Sequence, residues 1–336
     1  MKKKYILIVI SVLTLSFNAK AQDGMEAILL ADPADANKLL SAYVNPAMKG
    51  LIYGMNSGWY HTAKVHKTFG FDISIGLNAS VVPSADEIFN FADLGLTSVT
   101  STSATAATIA GPKISPLVTV NTTYMGTPVT ASFNMPEGVK DDLPLNAVPT
   151  PAVQFNLGLP AKFEAMVRLV PNVGSDDVKG NLLGLGLKKE ITSWFGPMEK
   201  TPLHVSLLAA FTSMSVDYDL QNESSINGSN QAAEFKLNSY TVQAIASLNF
   251  PFINFYGGFG YSGGSSSLKM LGTYDLEYNS GTITRQVIDP IDQDFDASGF
   301  RTTLGTRLSL GFFKIFADYT LQEYNTISAG IAFSIR

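Results

Sequence analysis

The sequence predicts an all-β fold, a transmembrane antiparallel β-barrel of about 12–14 strands with an N-terminal plug-like segment. Apolar residues alternate with small or polar residues along most of the 336-residue chain. Many alternating segments run 9 to 12 residues, close to the ~9–11 that a tilted strand needs to cross a bilayer. After residue 21, no apolar run approaches the ~20 residues of a membrane-spanning helix.

The N-terminus has the pattern of a secretory signal peptide. Three lysines at residues 2–4 precede an apolar run at 5–15, and residues 19–21 (Ala-Lys-Ala) form a small-x-small cleavage site. The alternative, a membrane anchor, is disfavoured because the apolar run is much shorter than the ~20 residues of a spanning helix. We therefore expect residues 1–21 to be removed, leaving Gln22 as the mature N-terminus.

Composition excludes several classes of function. The chain carries a formal net charge of −5 and no cysteine. An acidic protein lacks the positive charge that binds phosphate backbones, so no nucleic acid partner is expected. Without cysteine there is neither a disulfide framework nor a lipid-attachment cysteine.

The alternation is clearest in "FGFDISIGLNAS", residues 69–80, where every odd position is apolar and every even one is small or polar. A period of two indicates a strand with one apolar face. One or two further strands could lie in 114–134 or 282–288. The predicted strands are 57–66, 69–80, 151–159, 162–171, 178–189, 202–217, 235–249, 252–262, 267–278, 300–310, 312–321 and 325–335.

Either a soluble sandwich or barrel or a membrane barrel could use such strands. Lipid is favoured because soluble strands average only ~5–6 residues. The polar face also carries charges such as Asp72 and Arg168, as a polar lumen would. Aromatic residues such as Trp59 and Tyr60 lie near strand ends, where interfacial girdles belong.

The last segment, "NTISAGIAFSIR", alternates to the end of the chain. A barrel needs such a closing strand because an open edge in lipid leaves backbone groups unpaired. We therefore expect location in the outer membrane, with outer-membrane lipid and, through this strand, the barrel-assembly machinery as partners. With the predicted strands, however, the short turns at 159–160 and 250–252 would not lie on the same side of the membrane, although both should face the periplasm. Either a strand is missing, or 57–66 belongs to the plug.

The domain organisation predicted is a plug-like segment at 22–56 and a barrel at 57–336 with a long insertion at 81–150. In "LLSAYVNPAMKGL", residues 39–51, Pro46 and Gly50 are expected to break any helix, so a short helix over 34–43 is predicted. Inside a barrel, protein surrounds the freed backbone groups. The alternative is a periplasmic arm or an irregular first strand.

The insertion begins with "SADEIFNFADLGL", which predicts a short helix capped by Ser84. Long connections are functional or disordered more often than not. The insertion is thus either a mobile surface loop or a lid over the barrel mouth.

Catalytic motifs have better structural explanations. "GGFGYSGG", residues 257–264, matches both a dinucleotide fingerprint and a nucleophile elbow, but each motif needs a strand that feeds into a helix. Serines and another alternating segment follow here. The stretch therefore predicts a glycine-rich barrel strand with Phe259 and Tyr261 facing outward.

Titratable clusters are also few. The only histidines are His61, His66 and His204. The first two would lie on opposite faces of one strand, so they cannot form a joint site, and a structural or interfacial role is expected for each. The alternating acidic residues of "DPIDQDFDASG" either bind calcium or form a solvated loop, and the absence of the required glycine favours the loop. The acidic residues of this stretch are Asp292, Asp294 and Asp296. No enzyme activity, cofactor, metal or catalytic residue is predicted.

Two stretches resemble known families. "LNAVPTPAVQFNLGLPAKFEAMVRLVP", residues 145–171, resembles a family of Bacteroidota outer-membrane barrels of unassigned function, which implies the fold and the location. Asn45, Pro46 and Ala47 resemble the Asn-Pro-Ala element in the N-terminal hatch of FadL-type long-chain fatty-acid transporters. In the plug, the Asn45 side chain is expected to hold a turn that Pro46 rigidifies.

Two functions follow from these observations. The first, implied by the hatch resemblance, is passive transport of hydrophobic small molecules, with such a molecule as ligand. The second is a structural or surface-interaction barrel with a closed lumen. A lumen lined by aromatic and apolar residues would support transport, whereas interlocking polar pairs would support the closed barrel.

Overall fold

The structure, a computed structural model, describes residues 25–174, 178–220 and 226–335. The predicted signal peptide lies outside these residues. The long helix is α1 (Pro33–Met55), and short 3-10 segments lie at Glu26–Leu30, Ser84–Asp86, Phe91–Leu94, Lys140–Asp142, Pro144–Asn146, Pro160–Lys162 and Thr192–Lys200. The strands are β1 (Phe71–Val81), β2 (Ile88–Asn90), β3 (Val99–Ser101), β4 (Thr105–Ala107), β5 (Leu117–Tyr124), β6 (Thr127–Asn134), β7 (Ala147–Leu159), β8 (Phe163–Gly174), β9 (Val178–Glu190), β10 (Leu203–Asp219), β11 (Gly228–Asn249), β12 (Ile253–Tyr278), β13 (Ile283–Ile288), β14 (Ile291–Leu310), β15 (Phe313–Leu321) and β16 (Thr326–Ile335).

Ten strands of the described chain form a closed antiparallel ring, in the order β1, β7, β8, β9, β10, β11, β12, β14, β15 and β16, with β16 paired to β1. The predicted fold class is confirmed, but the ring is smaller than the expected 12–14 strands. Two predicted strands, 252–262 and 267–278, are one continuous strand, and 57–66 is no strand at all. Strand β13 pairs only with β12, while β2 with β4 and β3 with β5 and β6 form small separate sheets.

The smaller ring resolves the sidedness of the turns. With 57–66 outside the sheet, the short connections 160–162, 250–252 and 311–312 all lie at one end of the barrel, which we call the turn end. Strand β1 begins there and β16 ends there. The opposite, loop end carries the long insertion. In outer-membrane barrels, the short turns face the periplasm and the long loops face outward.

The outer surface carries an apolar band. On β1, Ile73, Ile75 and Leu77 are exposed, whereas Asp72 and Ser74 are buried in the lumen, as the period of two predicts. Exposed aromatic side chains form one belt near the turn end and a second belt further along the strands. On β12 these belts are nine residues apart, the distance that a tilted strand needs to cross a bilayer. The belt residues include Trp194, Phe252 and Phe312 at the turn end, and Phe211, Tyr240, Tyr261 and Phe300 on the other side.

Beyond the second belt the wall continues. Strands β11 and β12 have 22 and 26 residues, far more than one crossing requires. This extension surrounds the largest hydrophobic core cluster, which joins the start of α1 to the insertion sheet and to the upper part of β12. Among the described helices, none combines the length and hydrophobicity required to span a membrane.

Candidate functional site: the plugged lumen

Helix α1 lies inside the barrel and runs from the loop end toward the middle of the lumen. It remains helical through Pro46 and Gly50, so the predicted short helix over 34–43 is wrong. Gly50 permits a close approach to the wall, because a Cβ at this position would lie 2.5 Å from a methyl carbon of Val148 on β7. Gly54, one helical turn later, meets Thr150 in the same way. Burial of the helix outweighs the low helix propensity of glycine.

Pro46 has a local effect on the helix. A proline inside a helix has no N–H to donate and its ring crowds the carbonyl of residue i−4, here Ala42. In this same turn, the Tyr43 carbonyl accepts a hydrogen bond of 2.9 Å from the N–H of Ile109 in the insertion. The predicted turn held by Asn45 is therefore wrong, since Asn45, Pro46 and Ala47 are all helical. Their role as a hatch stays a prediction.

The insertion packs over the start of α1. Asp35 accepts hydrogen bonds from the Ser98 N–H at 2.7 Å and the Thr97 N–H at 2.9 Å. Although burial alone would raise the pKa of Asp35, these bonds hold it below its ordinary value. Residues 84–96, for which a capped helix was predicted, instead form short 3-10 segments and β2. The insertion is therefore folded against the start of α1, and its role as a lid stays a prediction.

Tyr324, in the loop between β15 and β16, also joins the insertion. Its hydroxyl donates to Asp86 at 2.5 Å, and its ring stacks on Tyr53 of α1. Burial and the hydrogen bond to Asp86 raise the pKa of Tyr324 above its ordinary value. The neighbouring Glu323 accepts bonds from Lys49 and from the Tyr53 hydroxyl, at 2.8 and 2.7 Å.

Two buried arginines of the wall hold the end of α1. Arg168 donates to the carbonyls of Met55 and Ser57, at 3.0 and 2.9 Å, and its guanidinium lies 3.9 Å from the centre of the Trp59 ring. Arg301 donates to the Asn56 carbonyl at 2.8 Å. These cations satisfy carbonyls that a helix C-terminus leaves without partners and complement its negative dipole.

Residues 56–66 continue through the lower lumen without regular structure, and the predicted strand 57–66 is wrong. Wall side chains satisfy the backbone instead: Gln154 donates to the Trp59 carbonyl at 2.9 Å, and Ser247 accepts from the Ala63 N–H at 3.0 Å. Trp59 and Tyr60 are buried in the lumen rather than part of a girdle. A buried backbone needs such partners because no water replaces them.

The histidines belong to this network. Because 57–66 is not a strand, His61 and His66 are not on opposite faces, and their Nε2 atoms lie 3.4 and 3.3 Å from the same Asp72 oxygen. His66 Nδ1 lies 2.8 Å from Glu164, which pairs with Lys188 at 2.6 Å. The prediction that these histidines cannot share a site is therefore wrong. Their structural role is consistent with the network.

The remaining sequence motifs lie on the outer face. Phe259 and Tyr261 point outward from the middle of β12, as predicted for a glycine-rich strand. Asp292, Asp294 and Asp296 lie on β14 rather than in a loop, on its outward face beyond the second aromatic belt, and Asp292 pairs with Lys269 at 2.8 Å. Among the described residues, no cluster of three or more His, Asp or Glu could hold a metal ion.

Within the described residues, the ladder between β7 and β8 is interrupted at the level of the membrane-facing strands. Strand β7 pairs with β1 up to Ala147, and β8 pairs with β9 up to Gly174, but β7 and β8 pair with each other only from Leu159–Phe163 to Gln154–Arg168. Beyond that pair, toward the loop end, residues 147–153 and 169–174 face each other without ladder hydrogen bonds. We call this region the seam. Proline residues suit it because they have no N–H to leave unpaired; they are Pro149, Pro151 and Pro171.

The seam lies at the level of lipid-facing residues, since Pro151 pairs with Leu77 and Leu169 is exposed. Behind it is a small cavity of about 10 Å³, lined by Met55 of α1, by Val170 and Leu182, and by the polar side chains of Asn78 and Arg168. A hydrophobic core cluster continues from the apolar side chains of this lining along α1. The seam therefore connects the lipid side of the wall to the apolar part of the plug.

The chain matches the profile of a family of unknown function, DUF6588, over residues 1–335. It belongs to this family. No curated protein sequence matches it. Solved structures similar to this DUF6588 protein include Ail, the attachment invasion locus protein of Yersinia pestis, with 9% identity, coverage of 80% of this chain and 99% of that chain, and a TM-score of 0.28. The outer membrane protease OmpT of Escherichia coli is 13% identical, with coverage of 79% and 97% and a TM-score of 0.34. A TodX monoaromatic hydrocarbon channel deltaS2 mutant is 10% identical, with coverage of 86% and 75% and a TM-score of 0.26.

Sequence reasoning missed the arginine pair and the seam. Arg168 and Arg301 are single charges on separate strands, and only the closed ring brings them to one helix end. The seam did have a signal, because prolines inside alternating segments argue against full pairing. The spacing of Gly50 and Gly54 likewise indicates a helix face that packs closely against another backbone.

Proposed function

We propose that this DUF6588 protein is an outer-membrane barrel that passes hydrophobic small molecules passively between the exterior and the bilayer through the seam. The observation that carries the proposal is the missing β7–β8 pairing next to an apolar part of the plug. Unpaired strand edges are costly in lipid, so a retained opening is expected to have a use. The process involves no chemical reaction and no cofactor.

The plug supplies the closure. In its upper part, α1 satisfies its own backbone hydrogen bonds and contacts apolar side chains of the wall and the insertion. Asp35, Lys49 and Tyr53 bond α1 to the insertion and to the β15–β16 loop, so the helix shifts together with these loops or breaks these bonds. A hydrophobic ligand that separates α1 from Val170 and Leu182 would have a direct path to the outer-leaflet lipid. The hatch role of Asn45, Pro46 and Ala47 belongs to this proposal, as does assembly through β16.

A second function is favoured by the lower lumen. The interlocking polar contacts of residues 56–66 fill the barrel near its turn end, and this is the arrangement expected of a structural or surface-interaction barrel with a closed lumen. The two functions differ in one respect. A closed barrel requires no movement of α1 and no opening of the seam.

A covalent cross-link across the seam distinguishes transport from the closed barrel. The β7–β8 register ends at Gln154–Arg168, so Val153 and Leu169 would form the next pair. In this cysteine-free protein, Val153→Cys with Leu169→Cys, joined by a short bis-methanethiosulfonate reagent, should abolish protein-dependent uptake of a hydrophobic dye by cells. Reductant should restore the uptake.

The matched control is Phe155→Cys with Val167→Cys, which staples a pair that the ladder already joins. It should leave dye uptake unchanged. Fractionation with the outer membrane and a heat-modifiable band on a denaturing gel would verify location and folding for every variant. If neither staple alters uptake in folded protein, the closed barrel becomes the better function.

A further inference from the structure

A cavity at the turn end of the barrel is separate from the seam. It has a volume of about 440 Å³ and lies between plug residues 64–68, the β7–β8 turn and the segment that joins β9 to β10. Typical small-molecule sites have volumes of ~300–1,000 Å³. The cavity is thus large enough for a small ligand or for a lipid headgroup.

The lining of this cavity is basic. Lys64, Lys67 and Lys162 line it, and Glu190 is its only carboxylate among the described residues. Glu190 accepts the Val65 N–H at 3.1 Å, lies 2.9 Å from His204 Nδ1 and interacts electrostatically with Lys162. Three lysines against this one carboxylate still leave an excess of positive charge around the cavity.

The adjacent carboxylate does not cancel this charge. Glu164 lies just inside the lumen, where Lys188 contacts one of its oxygens at 2.6 Å. The other oxygen accepts the His66 N–H at 2.9 Å. Since Glu164 is buried and fully engaged, it is unavailable to the three lysines of the cavity.

The backbone around the cavity is held in place. The Phe69 N–H donates to the Gly158 carbonyl at 2.8 Å, which fixes the plug segment against the β7–β8 hairpin. Ala161 and Lys162 occupy the left-handed region, with φ of 57° and 59°, as in a tight two-residue hairpin turn. Non-glycine residues are uncommon in this conformation, and it presents Lys162 at the mouth of the cavity.

We propose that this cavity binds a phosphate-bearing anion at the turn end of the barrel. Several lysine ammonium groups around one cavity suit phosphate, whose oxygens accept hydrogen bonds from point charges in many directions. Phe69, which follows the lining residue Thr68, and Trp194, two residues after the lining residue Thr192, are exposed aromatic side chains, so the phosphate can belong to a lipid headgroup or be free. This inference is independent of transport through the seam.

The test uses the full-length mature protein in an uncharged detergent. Binding of inorganic phosphate and of dihexanoyl phosphatidic acid, below its micelle concentration, is measured by titration calorimetry against chloride at equal ionic strength. Lys64→Gln with Lys67→Gln should weaken binding by about tenfold or more, as expected for loss of charge-assisted contacts. Lys162→Asn should also weaken binding, and asparagine tolerates the left-handed turn.

Lys314→Gln is the matched control, because Lys314 lies near the turn end but does not line the cavity. It should bind as the unchanged protein does. Tighter binding of the lipid analogue than of inorganic phosphate identifies a headgroup site, and equal binding identifies a free-phosphate site. The proposal is overturned if neither probe binds above the chloride background, or if Lys314→Gln weakens binding as much as the cavity variants do.

Discussion

The upper and lower halves of the plug are held by different means. In the upper half, α1 bonds mostly within its own backbone, and apolar side chains such as Leu39 and Leu40 pack against the surroundings. Its polar side chains, such as Asp35 and Lys49, bond to loops rather than to the strands of the wall. In the lower half, residues 56–66 have no regular structure, and wall side chains supply their hydrogen bonds. Apolar contacts are non-directional and can slide, whereas directional bonds to a fixed wall cannot. The upper half is therefore suited to movement and the lower half to anchoring.

The seam lies beside the half that can move. Its cavity contacts Met55, the last residue of α1, immediately before the carbonyls that Arg168 holds. The boundary between the movable and the anchored halves thus coincides with the opening in the wall. Changes at this boundary should have the largest effects, and changes farther up α1 should have smaller ones.

Arg168→Met should have the largest effect, because it releases the anchored lower half of the plug. It leaves the buried carbonyls of Met55 and Ser57 without donors, at a cost on the order of 3–5 kcal/mol. The ring should stay closed because strand pairing is unaffected. We expect increased ion conductance in planar bilayers and lower resistance of the plug to protease. Arg285→Met is the control, since Arg285 lies on β13 at the loop end, 3.8 Å from Asp32 and 5.9 Å from the centre of the Tyr124 ring. Equal conductance in both variants would contradict an anchor at Arg168.

Gly50→Ala should force α1 away from β7. Its Cβ would overlap Val148, and overpacking of this kind costs about 1–3 kcal/mol. Without that overlap, alanine would stabilise the helix. Val148→Ala in the same chain should therefore rescue the loss, as measured by urea unfolding of the heat-modifiable form. Failure of the rescue would show that α1 does not press against this part of the wall.

Pro46→Ala should weaken the contact between α1 and the insertion. The restored N–H can donate to the Ala42 carbonyl, and without the proline ring this turn of the helix can tighten. The Ala47 N–H then competes with the Ile109 N–H for the Tyr43 carbonyl. A hydrogen bond is worth about 1 kcal/mol, so the Ile109 amide should exchange about fivefold faster. Asn45→Ala, in the same turn, is the control and should not alter the exchange. Unchanged protection of the Ile109 amide in Pro46→Ala would show that the proline does not support this contact.

Asp35 should give the smallest effect, confined to the upper half. Its pKa is lowered in the folded protein from an ordinary value of 3.8. The stabilisation that the Asp35 carboxylate gives the folded protein is therefore fully present above about pH 4, and it is lost as the pH falls through the pKa of Asp35 in the folded state. Acid should lower the protection factors of the Thr97 and Ser98 amides, taken relative to their intrinsic exchange rates, and Asp35→Asn should remove this dependence. A pH dependence that persists in Asp35→Asn would assign it to another group.

Local sequence patterns were enough to predict the two faces of the wall strands. Alternation with a period of two depends only on neighbouring positions, so it predicts which face of β1 meets lipid before any partner strand is known. The same local pattern failed at 57–66, where alternating residues meet polar wall side chains rather than another strand. It also failed at Pro46 and Gly50, where propensity predicts a break but burial keeps the helix intact.

The plug contacts and the seam were decided only by the tertiary structure. Arg168 and Arg301 reach the end of α1 because ring closure brings together strands that are far apart in sequence. The shared Asp72 contact of His61 and His66 likewise requires an irregular path inside the barrel. Even the prolines at the seam indicate only that pairing is weakened. Which neighbour is lost depends on the twist and closure of the whole ring, because each strand has two sides and the sequence does not say which side remains paired.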